Sequence, residues 1–199
     1  METASKHRQA DGSTHDSTSV PAVTVPDATI VMRSRSAYLV GVSADDLVEI
    51  TLADVLKFHG YCAGGVAFAF RAAQEAFRVL YGDEIPVRQG LRVETAYHCC
   101  QAGALAFITG ARSDFGAERS IGDLVLIPNE EQKMVFTDKE TGRSVTLRPH
   151  FDPHDIFKPL FRGVAQDESM IDEVRTTLQH AVAAYMSSPV DELFAVESD

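Results

Sequence analysis

All three cysteines of the chain lie in two short segments, each of which also carries a histidine. Residues 58–65 read Phe-His-Gly-Tyr-Cys-Ala-Gly-Gly, and residues 97–103 read Tyr-His-Cys-Cys-Gln-Ala-Gly. Thiolates and imidazoles are the ligands that zinc and other late transition metals prefer. A Cys and His pair from each segment predicts one metal site, provided that the fold brings the segments together. The candidate ligands are His59, Cys62, His98, Cys99 and Cys100.

The spacing excludes the familiar small zinc modules. The chain has no Cys-x-x-Cys pair, and adjacent Cys99 and Cys100 cannot easily both bind one tetrahedral ion. Any site must therefore be built by tertiary structure. The alternative is that the cysteines are small buried hydrophobic residues, the usual role of a free cysteine.

These segments resemble the FmdE domain family, which takes its name from formylmethanofuran dehydrogenase. Its members typically carry His-Gly-His-any-Cys-Pro-Gly, an arginine twelve residues after the first His, and a later cysteine ahead of Thr-Gly-Cys-Thr. In this chain His59 and Arg71 keep that separation, and Cys100 stands at the family's cysteine relative to Thr109 and Gly110. The resemblance covers roughly residues 45–160.

The chain also departs from the family pattern. Tyr61 stands at the second family histidine, and Cys62 is displaced by one position from the family cysteine. Ala111 replaces the cysteine of Thr-Gly-Cys-Thr. Only His59 and Cys100 therefore transfer position for position, whereas the other three ligands are inferred from the local residues.

The resemblance implies a metal-binding accessory or redox/carrier protein. Zinc is the expected metal and haem the alternative cofactor, held between the His-Gly-Tyr-Cys turn and the His-Cys-Cys junction. A homodimer is implied, with a partner oxidoreductase or a small-molecule ligand as a further partner. The alternative function is a thiol-dependent enzyme, in which Cys62 or Cys100 is the nucleophile and His59 or His98 the base.

Composition limits the remaining functions. The chain has 199 residues, is 45% hydrophobic and carries a net charge of −11. That length and core content predict one domain, and the negative charge argues against binding to nucleic acid or an anionic membrane surface. No apolar run reaches the roughly 18 residues that a membrane span needs. Free thiols fit a reducing compartment, so a cytoplasmic location is expected.

Three regions are expected along the chain. Residues 1–27 lack periodic apolar positions and predict a mobile tail, or an arm in which residues 20–25 lie across a neighbouring copy of the chain. Residues 28–188 form the folded domain. Residues 189–199 are expected to be a C-terminal tail.

Two Ser/Thr-x-x-Asp motifs, at Ser43 and Thr51, predict that two short helices follow. The second helix should end at Gly60 and place His59 on its buried face at the last turn. A strong apolar stripe then predicts a helix over residues 66–81. Cys62, at its glycine-rich start, should have a lowered pKa because exposed helix amides favour a thiolate.

Four residues around these ligands are candidates for the cofactor pocket. Gly64 and Gly65 let another group approach the backbone closely, although plain helix packing is the alternative use of such glycines. Tyr97 is expected to contact the bound metal or ligand, and Tyr61 to line the same pocket without binding the metal strongly.

The rest of the chain predicts an α+β fold, with helices packed on a mixed, mostly antiparallel sheet. Strands are expected at residues 91–97, 124–127, 134–136 and 144–147, and helices at 100–109 and 169–186. A hairpin turn is predicted at residues 138–142. His150 and His154 flank Pro153 in a segment expected to be a loop, either contributing a ligand or proton-transfer group or lying at the surface.

Overall fold

The computed structural model describes residues 22–96, 99–116 and 118–199, without the side chains of Cys99 and Glu118. Within them, seven helices and seven strands are formed. The helices are α1 (Arg35–Leu39), α2 (Leu52–His59), α3 (Ala63–Tyr81), α4 (Cys99–Thr109), α5 (Pro153–Val164), α6 (Ile171–Ser187) and α7 (Val190–Leu193). The strands are β1 (Thr29–Arg33), β2 (Leu47–Thr51), β3 (Leu91–Ala96), β4 (Leu124–Ile127), β5 (Met134–Asp138), β6 (Ser144–Pro149) and β7 (Phe194–Ser198).

Five strands form the main sheet, in the order β4-β3-β5-β6-β7. The β3–β4 pair is parallel and the other three pairs are antiparallel. Alternate residues of β3, β5 and β6 are buried, so one face of the sheet packs on the helices. The predicted α+β class with a mixed, mostly antiparallel sheet is confirmed.

Helix α3 is the centre of the core. It contacts α2, α4, α5 and α6 as well as β5 and β6, so its sequence is apolar on nearly every side. Phe68 and Phe70 are fully buried. The Phe68 ring meets Tyr185 of α6 at 5.2 Å and Phe194 of β7 at 4.6 Å between ring centroids. This packing fixes the start of α3, where Cys62 lies.

Helix α2 begins and ends as its sequence predicts. The Thr51 hydroxyl accepts from the Asp54 N–H, and the Asp54 carboxylate accepts from the Thr51 N–H, which forms a capping box. Gly60 ends the helix at φ +70°, in the left-handed region that favours glycine. His59 is therefore the last residue of α2.

The first Ser/Thr-x-x-Asp motif was wrong as a helix start. The Ser43 hydroxyl donates to the Leu47 carbonyl and the Asp45 carboxylate accepts from the Leu47 N–H, so these residues form a turn into β2. Strand β2 pairs with β1, and Ile50 and Ile30 lie opposite each other in the buried part of that hairpin. The pairing with β1 makes this segment a strand and not a helix, and no local sequence motif predicts that pairing.

Two segments expected to be irregular are ordered elements. Residues 190–199 form α7 and β7 instead of a tail, because β7 adds a strand to β6 and buries Phe194. The segment around Pro153, expected to be a loop, begins helix α5. A short strand or the first turn of a helix contains too few residues for hydrophobic periodicity to distinguish it from a loop.

The N-terminal region is described only from residue 22. Val23 and Val25 pack against the core, and the Thr24 N–H donates to Gln179 of α6. This part of the expected tail or arm therefore lies on the chain's own α6. Residues 1–21 lie outside the described residues.

None of the helices in the described ranges combines the length and apolarity needed to cross a membrane.

Candidate metal site

Three potential ligands from separate parts of the chain meet in the interior. One ligand atom each from Cys62, Cys100 and His154 lies within 4.8 Å of the other two. The exposed fractions of these residues are 1%, 1% and 8%. Cys62 is the N-cap of α3, Cys100 is the second residue of α4, and His154 is the second residue of α5. Three helix starts therefore converge on one point, and their dipoles favour anionic thiolates there.

The Cys62 sulfur accepts hydrogen bonds from its surroundings. The Gly65 N–H donates to it at 3.4 Å, the N-cap interaction of α3. A hydrogen bond from Cys100 lowers the pKa of the Cys62 thiol most; the Gly65 and Gly64 amides lower it further, while burial raises it. The net direction is downward, as the sequence predicted, so Cys62 reaches the ligand-competent thiolate more easily than an ordinary thiol.

The His154 ring is held by the residue that caps its helix. The Asp152 carboxylate accepts from the His154 N–H at 2.9 Å and lies 3.0 Å from the ring Nδ1. This bond places the ring proton on Nδ1 and leaves Nε2 as the ligand atom, the arrangement that orients metal-binding histidines. Burial lowers the pKa of His154, although Asp152 opposes that effect, so the neutral imidazole is favoured.

Glycine is required at two positions beside the site. A Cβ atom on Gly65 would lie 3.1 Å from His154 Nε2, 3.2 Å from Cys100 Sγ and 2.8 Å from Cys100 Cβ. A Cβ atom on Gly64 would lie 2.3 Å from the Phe157 ring. Gly65 thus leaves room between two ligands, and Gly64 lets α5 pack closely on α3.

This group fits a small, thiophilic ion. Tetrahedral zinc, with bonds of about 2.0–2.3 Å, places its ligand atoms roughly 3.4–3.8 Å apart. The three atoms, all within 4.8 Å of one another, lie close to that spacing. Two thiolates also neutralise the charge of a divalent ion. Three protein ligands leave a fourth position open for another ligand.

A cavity of about 410 Å³ adjoins the three ligands. Three aromatic side chains contribute to its walls, and two basic side chains of α5 border it. The lining residues are Tyr61, Cys62, Cys100, His154, Phe157, Lys158, Phe161, Arg162 and Ala165.

His59, one of the predicted ligands, is not part of the three-residue group. Its Nδ1 would lie 3.3 Å from a Cβ atom on Gly103 of α4, and burial lowers the pKa of its ring. Its Nε2 is buried and has no hydrogen-bond partner among the described residues. Its role as a ligand stays a prediction.

The other predicted site residues fall into two sets. Tyr61 lines the cavity, with its ring centroid 4.8 Å from that of Phe161. Tyr97 and His98 lie outside the described residues, as does the side chain of Cys99. Their predicted roles remain predictions.

His154 and His150 were not distinguished from the sequence, although a signal was present. Asp152 followed by Pro153 is an N-cap residue followed by proline in the first helical turn, a pattern typical of helix starts. That pattern separates the two histidines, because His150 falls before the helix and His154 inside its first turn. In the structure His150 is exposed, and its Nε2 lies 3.1 Å from the Asp191 carbonyl.

One solved structure is similar to this chain over most of its length. It is that of a tungsten formylmethanofuran dehydrogenase FmdE-like protein from Syntrophus aciditrophicus. The two are 17% identical with a TM-score of 0.44, over 75% of this chain and 72% of that one. No curated protein matches the chain.

The model of the family described as "FmdE, Molybdenum formylmethanofuran dehydrogenase operon" matches residues 58–195. The matched range is most of the chain and contains Cys62, Cys100 and His154. The chain therefore belongs to the FmdE family.

Proposed function

We propose that this protein binds a transition-metal ion through Cys62, Cys100 and His154 and acts as a metal-binding accessory or carrier protein. The observation that carries the proposal is the convergence of these three buried ligand atoms at the starts of α3, α4 and α5. Membership of the FmdE family supports it.

The chemistry of the ligands favours zinc as the ion. Two thiolates and one imidazole form a set that zinc accepts readily, and similar sets with an open position occur in catalytic zinc sites. Asp152 holds the ring of His154 so that Nε2 points to the thiolates. Haem is the alternative cofactor, for which a thiolate or the imidazole would be the axial ligand.

Metal binding by single variants tests the ligand set. Metal-free protein is titrated with Zn²⁺, and bound metal is measured by elemental analysis. We expect one ion per chain for the wild type and at least about a hundredfold weaker binding for Cys62→Ser, Cys100→Ser and His154→Ala, since each removes one of three ligands. His150→Ala is the matched control, because it removes an exposed imidazole from the same segment.

Wild-type affinity in His154→Ala would contradict the proposed ligand set, and equal losses in His150→Ala would show that the effect is not specific. A His59→Ala arm measures whether that ring contributes as the family spacing predicts. The absorption spectrum of the protein as purified separates zinc from haem, because zinc has no visible band.

A thiol-dependent enzyme is the second candidate. Cys62 has a lowered pKa, lines the cavity and lies within 4.8 Å of a histidine ligand atom. In this structure the partner imidazole for a thiolate nucleophile is His154. Activity that survives chelation and is lost after stoichiometric alkylation would favour this function over metal binding.

The remaining expectations are part of the proposal. A second copy of the chain and a partner oxidoreductase are expected as partners, and the cytoplasm as the location. Two thiols close together, as Cys62 and Cys100 are, persist most readily in a reducing compartment.

A further inference from the structure

The cavity beside the three potential ligands is lined by thiols, an imidazole, aromatic rings and basic side chains. Cys62, Cys100 and His154 line it together with Phe157 and Phe161. Its volume of about 410 Å³ is in the range of small-molecule sites, roughly 300–1,000 Å³. The cavity is therefore large enough for an organic ligand beyond a metal and a water molecule.

One side of α5 supplies most of these lining groups. His154, Lys158 and Arg162 recur at four-residue intervals, so they lie along one side of the helix at steps of about 6 Å. Phe157 and Phe161 recur at the same interval beside them. Beyond His154, each of the next two turns of α5 therefore contributes one aromatic ring and one basic side chain to the cavity lining.

The two basic side chains are available to an incoming anion. Lys158 and Arg162 are exposed at the cavity, and neither forms an ion pair with a carboxylate among the described residues. The chain as a whole carries a net charge of −11. Two cations that lack an ion-pair partner in the described part of the chain lie at one cavity, although the chain is negatively charged overall. Their charge favours an anionic ligand there.

We propose that the cavity binds a small organic acid with a flat apolar body. One end of the ligand occupies the open coordination position, its body packs on Phe157 and Phe161, and its carboxylate pairs with Arg162 and Lys158. The inference rests on the metal site proposed above, which supplies the open position. Tyr61 also lines the cavity, and its ring contacts that of Phe161, with centroids 4.8 Å apart.

Two probes that differ only in charge test this assignment. Zinc-loaded protein is titrated with 4-(sulfanylmethyl)benzoate and with 4-(sulfanylmethyl)benzamide, using calorimetry. The thiol of each probe binds the metal, and the ring of each fits the aromatic wall, so only the carboxylate senses the cations. We expect the benzoate to bind about tenfold more tightly, because charge-assisted hydrogen bonds are stronger than neutral ones.

The double variant Lys158→Gln/Arg162→Gln should remove this preference while retaining zinc. The matched control is Arg92→Gln/Arg148→Gln, which removes the same charge from exposed positions on β3 and β6. Equal binding of both probes by the zinc-loaded wild type would overturn the anion assignment and leave the metal site standing. A preference lost equally in the control would also overturn it, since general charge would then be the cause.

Failure of the metal proposal gives a different result. If the wild type takes up no zinc, metal-free protein is titrated with 4-methylbenzoate and 4-methylbenzamide, which need no metal. A preference for the benzoate that depends on Lys158 and Arg162 supports the anion site by itself. Equal binding of these two probes overturns it.

Discussion

At the scale of single residues, the chemistry of the site depends on the hydrogen bond between Cys100 and Cys62. Both sulfurs are buried, which would ordinarily keep a thiol protonated and unreactive. Cys62 escapes that effect because the Cys100 thiol and the first amides of α3 donate hydrogen bonds to it. Cys62 therefore loses its proton to a metal more readily than an ordinary buried thiol does.

Replacing Cys100 should raise the pKa of Cys62. Cys100→Ala removes the largest cause of the lowered value, whereas Cys100→Ser keeps a hydroxyl donor and should retain most of the effect. The measurement is thiolate absorbance against pH in metal-free protein. The Cys62 titration should move to higher pH in Cys100→Ala, and identical titrations in the two variants would contradict the proposed hydrogen bond.

Gly65 should be intolerant of even one methyl group. Gly65→Ala places a Cβ atom 2.8 Å from Cys100 Cβ and 3.1 Å from His154 Nε2, so the two ligands must move apart. We expect at least about tenfold weaker zinc binding, as for a change that misplaces ligands. Zinc titration measures this effect, and circular dichroism checks that α3 is intact. Wild-type affinity would show that the ligands adjust without cost.

At the scale of elements, α5 brings the third ligand to the site. Asp152 caps the helix and orients His154, while Phe157, one turn later, packs its ring on the backbone of α3 at Gly64. The position of His154 therefore depends on a contact between two helices, and not only on the residues near it in sequence.

Gly64→Ala should weaken both the packing of α5 and metal binding. The added Cβ atom would lie 2.3 Å from the Phe157 ring, and overpacking of this kind costs about 1–3 kcal/mol. That cost exceeds the roughly 1 kcal/mol that alanine contributes over glycine inside a helix. Urea unfolding and zinc titration measure the two effects. The smaller side chain in Gly64→Ala/Phe157→Leu should restore part of each loss, and no restoration would place the cause elsewhere.

At the scale of the whole molecule, a bound metal would tie α3, α4 and α5 together at their starts. A ligand that binds only the folded state stabilises it by about 2.7 kcal/mol at a hundred times its dissociation constant. For a chain of this size each kcal/mol raises Tm by roughly 2–4 °C. Zinc should therefore raise Tm by roughly 5–10 °C at that concentration.

The zinc-dependent rise in Tm should disappear as pH falls. Protons compete with the metal for the thiolates and for His154, so metal binding weakens in acid. Because the pKa of Cys62 is lowered, its thiolate persists to lower pH than an ordinary thiol, and so does the stabilisation. Thermal unfolding with and without zinc between pH 8 and 5 measures this. Cys62→Ser/Cys100→Ser is the control and should show no zinc-dependent rise at any pH.

The sequence by itself determined the elements whose signals are local. The capping box at Thr51 and Asp54 and the stop at Gly60 define α2, and the long apolar pattern defines α3. The strands on either side of the turn at residues 138–142 were also predicted, because alternation and turn residues act over short distances. The spacing of His59, Arg71 and Cys100 was enough to identify the family.

Only the tertiary structure decided which residues meet. Cys62 and Cys100 were candidate ligands from their sequence segments. A helix start at Pro153 does not by itself show that His154 reaches them, because the packing of the helices determines which side chain lies beside the thiols. The same holds for β7, which becomes a strand because β6 offers it an edge, and for β2, which pairs with β1 where a helix was expected. Contacts between distant segments leave no periodic pattern in the sequence. They form only when the whole chain folds, so local sequence patterns do not predict them.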